Sequence, residues 1–555
     1  MKRLLATRFR AEGDRVGQIY SKTSPCSKPP DKTSTSIAVL ALFAAFWFAL
    51  LAGSGALFSG YQLEDDHEIL RMNRDLSSSH SLVSVAHSWI SRDLGIRFRP
   101  IYYLHRVLET AVFGTNFLYW SLWNCLLAAL TSFFLYRFSR LLGWPFHASI
   151  VFSLLALTGP QAAIWWRRGP AETPGAFLAS LSLQFLAHSV HVQRSERVFR
   201  VLFCLSAVAM SLCKESFALL LPAMAFLCVW LTHESDKTSW LSAVKRKLWL
   251  IVFLIGVVIT VVTVLIFGIQ KTSIGYAGVD SFDRGALVGM LRTLYRFGKL
   301  NELTIVTLML GILVICSIDS ERRLSLASLA FLQDFIPVIA LAVLWIAPQI
   351  VLYAKSGVYE RYLMPVSLGV SFLCVWTYLY LRHNLPHFGK AALFVILLYT
   401  FYAIAFPMMR GASRFASRSR DVSSLFGSMP KSIASDGRVL IVADPKTHYE
   451  WSYSCLWYLT LKQGFKEDDV YIHYQSASPE ITPALRQIAW FGGRTLGSLN
   501  DRKTISDVII LPGMENMFVS GAGDWIRSSS FERQVFSQEK DRPGGGFVLY
   551  SRKRG

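Results

Sequence analysis

The stretch LWLIVFLIGVVITVVTVLIFGI runs from Leu248 to Ile269 without one ionisable side chain. Wound as an α-helix at 1.5 Å per residue it is about 30 Å long, the thickness of a bilayer's hydrocarbon core. A helix that is apolar on every face cannot hide in water, so it belongs in a membrane or deep inside a large protein. The pattern repeats. Apolar windows lie at about 37–58, 117–136, 147–166, 171–190, 198–213, 216–232, 248–269, 303–318, 335–353, 362–381 and 391–407. The two short windows around SLCKESF are read as a hairpin, because Lys214, Glu215 and Pro222 interrupt a single helix. Composition agrees: 52% of residues are hydrophobic and 17% charged, where soluble chains carry roughly a quarter charged. The expected fold is mainly α, a polytopic membrane protein with about eleven transmembrane helices.

Residues 1–36 read as a disordered, basic cytoplasmic tail, too long and polar for the leading region of a signal peptide. The net charge of +20 is scattered between the apolar windows. It suits cytoplasmic loops and anionic lipid headgroups rather than nucleic acid, which asks for one basic patch. The eight cysteines form no C-x-x-C pair and give no disulfide or zinc framework. With the first residues inside, RFSRLLG, QRSERVFR, KRK, SERRLS and LRHNLPHFGK all fall on the cytoplasmic side, as short basic loops should. The same alternation sends EDDHE, WWRRGPAE, CKES, the loop from Gln270 to Glu302 and YERY to the opposite side. Five polar constellations on one face suggest one site.

The first outer loop, about 60–115, contains SLVSVAHSWI and PIYYLHRVLETAV; in the second, Ile101, Leu104, Leu108 and Val112 recur at helical spacing. Both read as amphipathic helices lying in the interface. The membrane domain is bounded at 37–407. Beyond it GRVLIVADP, DVYIHYQ, DVIILPG and GGFVLY alternate with helical stretches, which marks residues 408–555 as a small soluble α/β domain on the outer side.

YQLEDDHEIL, Tyr61 to Leu70, places Glu64, Asp65, Asp66, His67 and Glu68 where the chain leaves its first span. The plain reading is a solvated, helix-starting acidic cluster. The chemical reading is a general base, since a partly desolvated carboxylate can hold an acceptor hydroxyl and take its proton. A divalent cation on Asp65, Asp66 and His67 is the less favoured alternative, because adjacent side chains point apart and cannot close a coordination shell. Arg167 and Arg168 in IWWRRGPAET are either snorkelling anchors beside Trp165 and Trp166 or phosphate ligands. Arg361 in YERYLMP, preceded by Glu360, carries the same two readings. Lys214 and Glu215 sit between two apolar windows, where ionisable groups are functional candidates by default.

An acidic pair after the first span, two interfacial helices in that loop, basic residues in later outer loops, SLCKESFALLLP and ERYLMP together resemble the GT-C superfamily of membrane glycosyltransferases. The layout is most similar to protein O-mannosyltransferases, aminoarabinose transferases and related bacterial enzymes that use polyprenyl-phosphate-linked sugars. The resemblance covers roughly residues 37–407. It implies an inverting sugar transfer at the periplasmic face of a bacterial inner membrane, to a glycan, lipid or protein acceptor. It maps the base onto Asp65 or Asp66, and the donor phosphate onto Arg167, Arg168, Lys214 and Arg361. Glu215, Glu360 and His67 fall into supporting positions. A lipid monophosphate donor lacks the pyrophosphate that often demands a divalent ion, so no metal and no cofactor is required. A transporter or flippase of lipid-linked sugar intermediates is the competing class. It calls for internal repeats and broken helices that aim charge at the midplane, and the charges here gather at one surface.

Overall fold

The computed structural model describes residues 33–79, 81–94, 97–191, 196–269, 284–298, 326–354, 360–384, 386–429, 437–445, 447–475, 494–495, 504–521, 523–527, 530–537 and 546–553. Nearly all of the expected basic tail lies outside these residues, as does the apolar window at 303–318.

Backbone surrounded by hydrocarbon must satisfy its own N–H and C=O groups, so the apolar windows fold as helices. The first span is α1, Thr33–Gly53. The outer loop then contributes α2 (Asp66–Ser79), α3 (Leu82–Asp93) and α4 (Pro100–Phe113). The bundle continues with α5 (Phe117–Leu141), α6 (Phe146–Leu157), α7 (Glu172–His191), α8 (Glu196–Ser211), α9 (Leu221–Asp236) and α10 (Trp240–Thr263). An amphipathic α11 (Arg284–Gly298) follows, then α12 (Leu326–Leu352), α13 (Met364–Asn384) and α14 (Pro386–Ala403). Seven described helices are long and apolar enough to cross a membrane. The protein is a multi-pass membrane protein with a mainly α fold.

Exposure sorts these helices. Trp249, Val252, Ile255 and Ile259 of α10 and Phe394, Leu398 and Phe401 of α14 are exposed large apolar side chains that only hydrocarbon can cover. α13 is buried almost throughout, and its Phe372 lies within ring contact of Phe138, Trp144, Phe152, Trp230 and Trp345. Dense aromatic packing of this kind fixes the bundle where lipid offers no hydrophobic drive of its own.

The sequence ends the last span near Pro407. The helix instead runs on through a π-helical turn, Ile404–Met408, into α15, Met409–Ser428. Proline lacks an N–H and its ring clashes with a carbonyl of the preceding turn; a widened turn relieves that clash without ending the helix. α15 carries Val422, Leu425 and Phe426 into the core of the C-terminal sheet.

That sheet is β1 (Arg438–Ala443), β2 (Val470–Tyr474), β3 (Arg494–Thr495), β4 (Ile505–Ile510), β5 (Phe531–Phe536) and β6 (Phe547–Arg552), in the order β3-β2-β1-β4-β6-β5. β1 pairs in parallel with β2 and β4, while β6 is antiparallel to both its neighbours. Buried on both faces, β1 reads as the unbroken run VLIVA, as a central parallel strand should. After β1 the chain enters α16, Tyr449–Lys462. This helix packs on α2 of the first outer loop. Tyr61 donates to the Ser454 carbonyl at 2.9 Å and Arg71 to the Tyr453 hydroxyl at 2.7 Å. The Arg71 guanidinium also lies 4.8 Å from the Trp457 ring, and Phe426 stacks on Tyr458 at 4.1 Å.

Candidate active site

Gly55, at φ +77°, turns the chain out of α1, and a short 3-10 turn leads it into the acidic segment. Beneath that segment lies Arg106 of α4, 1% exposed. It donates to the Asp65 carbonyl at 3.0 Å and to the Arg168 carbonyl, faces the Glu68 carboxylate at 3.6 Å, and sits 5.2 Å from the Trp120 ring. One buried guanidinium thus ties the acidic loop to the arginine-bearing loop between α6 and α7. α4 accomplishes this by turning Leu104, Leu108 and Val112 outward and Tyr102, Tyr103, Arg106 and Val107 inward. The apolar stripe read from the sequence is the exposed face, and Arg106 lies on the inner one.

The two aspartates part company here. Asp66 is buried, and both its oxygens are taken by Arg168, at 2.8 Å to Nη2 and 3.2 Å to Nε. The Gln62 backbone N–H donates to it at 3.0 Å. Arg168 spends its remaining donors on the Ser59 and Gly60 carbonyls. Burial outweighs the guanidinium and lifts the Asp66 carboxyl above its ordinary value. The pair therefore fixes geometry more than it adds net stability, because desolvation of two ions offsets their attraction. Breaking it is another matter. Arg168→Ala strands a buried carboxylate and is expected to cost about 3–5 kcal/mol, read as a lowered thermal midpoint of the detergent-solubilised protein; an unchanged midpoint would mean that Asp66 does not depend on this clamp.

Asp65 is more open, its side chain 26% exposed, and it meets Arg361 across 3.5 Å, itself 27% exposed. Contact this long and this wet is weak and easily parted. A second carboxyl faces Asp65 from the α/β domain: Glu450, in the first turn of α16. Burial pushes Asp65 upward, but Arg361, then Arg106 and His67, outweigh it and hold the carboxyl down to about 2. Burial, then Asp65 and Glu64, pushes the Glu450 carboxyl well above its ordinary value.

The other basic residues surround this pair. Arg361 opens a 3-10 turn with Tyr362, whose ring stacks on Tyr353 at 4.9 Å and lies 3.9 Å from the Lys214 ammonium. Lys214 is buried and ion-paired with Glu172 at the start of α7. Arg167 binds Glu64 at 3.0 Å, and Arg418 of α15 binds the other oxygen of Glu64 at 3.1 Å. Glu215 is buried in the short helix after Lys214. Glu360 stands at the head of the Arg361 turn, with its side chain outside the described residues. His67 pairs with the Ser454 hydroxyl at 3.0 Å, and burial lowers its pKa to about 4, so it is a neutral link to the α/β domain. The structure therefore draws Asp65, Asp66, Arg167, Arg168, Lys214 and Arg361 onto one end of the bundle. It also adds Arg106, Glu172, Tyr362, Arg418 and Glu450, which sequence reasoning passed over. Among the described residues no three His, Cys, Asp or Glu side chains cluster in a way that could hold a metal ion.

No family model and no curated protein matches this chain. Among solved structures it is similar to ArnT from Cupriavidus metallidurans bound to undecaprenyl phosphate, at 13% identity and a TM-score of 0.46, over 92% of this chain and 97% of that one. ArnT in the apo state matches likewise, at 13% and 0.46, over 93% and 98%.

The backbone passes close against the Asp65 side chain at Gly169. A Cβ added there would overlap the Asp65 side chain itself. Gly169→Ala should force the two segments apart and lower the thermal midpoint of the detergent-solubilised protein; an unchanged midpoint would mean that this close approach does not matter.

Proposed function

We propose that the chain transfers a sugar from a polyprenyl-phosphate-linked donor to an acceptor hydroxyl, with inversion at the anomeric carbon and Asp65 as general base. The observation that carries this reading is the loose Asp65–Arg361 contact at the mouth of α13, an ionised carboxylate facing a cation with solvent access to both. The resemblance of the sequence layout to lipid-phosphate-dependent glycosyltransferases supports it.

The acceptor O–H donates to Asp65, which takes the proton as the oxygen attacks the anomeric carbon. The bond from that carbon to the phosphate oxygen breaks, and its electrons leave with the polyprenyl phosphate. Negative charge grows on the phosphate, so a preorganised guanidinium there lowers the barrier. We assign that role to Arg361, flanked by Lys214 and Arg167, and assign the Arg168–Asp66 pair to holding the loop. A carboxyl near 2 is a weak base, since proton transfer is most efficient when the pKa lies near the working pH. The low value owes most to Arg361 after burial has acted against it. Donor phosphate on Arg361 would compete with Asp65 for that charge and leave the carboxylate a stronger base as the substrate arrives.

We place the site on the periplasmic face of a bacterial inner membrane, with a glycan, lipid or protein as acceptor. Proteoliposomes carrying labelled polyprenyl-phosphate sugar test the reading. Label attached to a new acceptor supports transfer; label that only changes leaflet assigns the chain to flipping instead.

A further inference from the structure

The α/β domain does more than rest on the membrane bundle, because its first helix delivers a side chain to the base. Glu450 stands in the first turn of α16, directly beyond the carboxyl end of β1, where ligand-facing groups of parallel sheets gather. Three anchors fix that end of the helix against the acidic loop: Tyr61 on the Ser454 carbonyl at 2.9 Å, the Ser454 hydroxyl on the Glu64 carbonyl at 3.1 Å, and His67 on Ser454 at 3.0 Å. Arg418 lies 4.8 Å from the Trp451 ring and holds the flank. Ser454, one helical turn after Glu450 and so on the same face of α16, bonds residues on both sides of Asp65, which brings Glu450 beside the Asp65 carboxyl. Two ionised carboxylates have no proton between them and repel, so a hydrogen bond between such groups requires that one be protonated.

We propose that Glu450 carries that proton and is a positioning residue, donating to one oxygen of Asp65 so that the other is aimed at the acceptor hydroxyl. The inference rests on Asp65 being the base. The geometry makes the assignment directional. Asp65 has Arg361 against it at 3.5 Å and Arg106 beneath its backbone, which favours its ionised form. Glu450 faces Asp65 and Glu64 from the acidic loop, Arg361 from the head of α13 and Tyr449 from its own helix, with Arg97 beside Tyr449. Two carboxylates and one shared guanidinium leave the proton on Glu450. It bonds to Asp65 before the reaction; Asp65 then gains the acceptor's proton and returns it to water, while Glu450 keeps its own.

The sign of the pH dependence follows. Glu450 acts only while protonated, and burial beside Asp65 raises its pKa above the ordinary value. Turnover is therefore full below that pKa and falls as pH rises through it. The test compares turnover against pH in proteoliposomes for the full-length wild type, Glu450→Gln and Glu450→Ala, with Asp65→Asn alongside. Gln still donates a hydrogen bond but cannot ionise, so Glu450→Gln should retain most neutral-pH turnover and lose the alkaline fall. Glu450→Ala should lose at least about tenfold at neutral pH, within the range expected for misaligned proton transfer. Infrared difference spectra provide a readout free of activity: a protonated-carboxyl C=O band present in wild type at neutral pH and absent from Glu450→Gln. The inference is overturned if Glu450→Ala keeps wild-type turnover, if Glu450→Gln keeps the alkaline fall, or if the band survives in Glu450→Gln. Those outcomes leave the function intact, whereas an active Asp65→Asn removes the base assignment itself.

Discussion

Asp65→Asn is expected to lower sugar transfer by on the order of 10²–10⁴-fold, the usual worth of a positioned general base, while the protein folds and binds donor. The amide has the size of the carboxyl and leaves the Asp65 carbonyl bonded to Arg106. Its pairing with Arg361 is long and partly exposed, so the loss falls on the chemistry more than on the fold. Only the proton acceptor disappears. Asp66→Asn should behave differently: its oxygen still accepts from Arg168, and the change weakens a buried clamp rather than the chemistry. Single-turnover assays with labelled donor, paired with thermal midpoints, separate the two. A dead Asp66→Asn beside an active Asp65→Asn transfers the base role to the neighbour; two active variants end the base reading.

Arg361→Ala should lower kcat/KM for the donor by on the order of 10²–10³-fold, typical of removing one preorganised donor from a developing negative charge. A second consequence sets it apart from loss of a membrane anchor. Burial acts to raise the Asp65 pKa, and Arg361 is the strongest of the groups that pull it down. Without the guanidinium the carboxyl rises. With Asp65 as the base we propose, turnover needs its ionised form, so the acid side of the pH profile should move to higher pH. A snorkelling arginine would move neither quantity, and unchanged values for both return Arg361 to that role.

The span pattern was legible because hydrocarbon imposes one rule on every exposed backbone group, and Leu248–Ile269 obeys it in plain view. The gathering of EDDHE, WWRRGPAE, CKES and the Arg361 turn was also legible, since alternation of spans decides which loops share a face; most of the loop from Gln270 to Glu302 lies outside the described residues. Which aspartate is free was not. Asp65 and Asp66 are adjacent and chemically identical in sequence; a 102-residue separation from Arg168 and a 296-residue one from Arg361 set them apart. Arg106 was missed for a reason specific to membranes. It lies on the face of α4 opposite Leu104, Leu108 and Val112, which in water would be the solvent face. Here the apolar stripe is left exposed, and the arginine turns inward. Glu450 had no local signal, being one ordinary glutamate at a helix start 385 residues after Asp65.

The sequence alone determined that the chain crosses a membrane repeatedly, that a short-stranded α/β unit follows, and that charge collects at one end of the bundle. These are properties of windows about twenty residues long, and burial of apolar surface is additive over such windows. Only the tertiary structure decided that Asp66 is clamped, that Asp65 is loosely held and that the C-terminal domain reaches it through Glu450. Those facts depend on close approaches between groups 102 to 385 residues apart. Electrostatic interactions at that range change steeply with position and solvent access, and no local pattern encodes them.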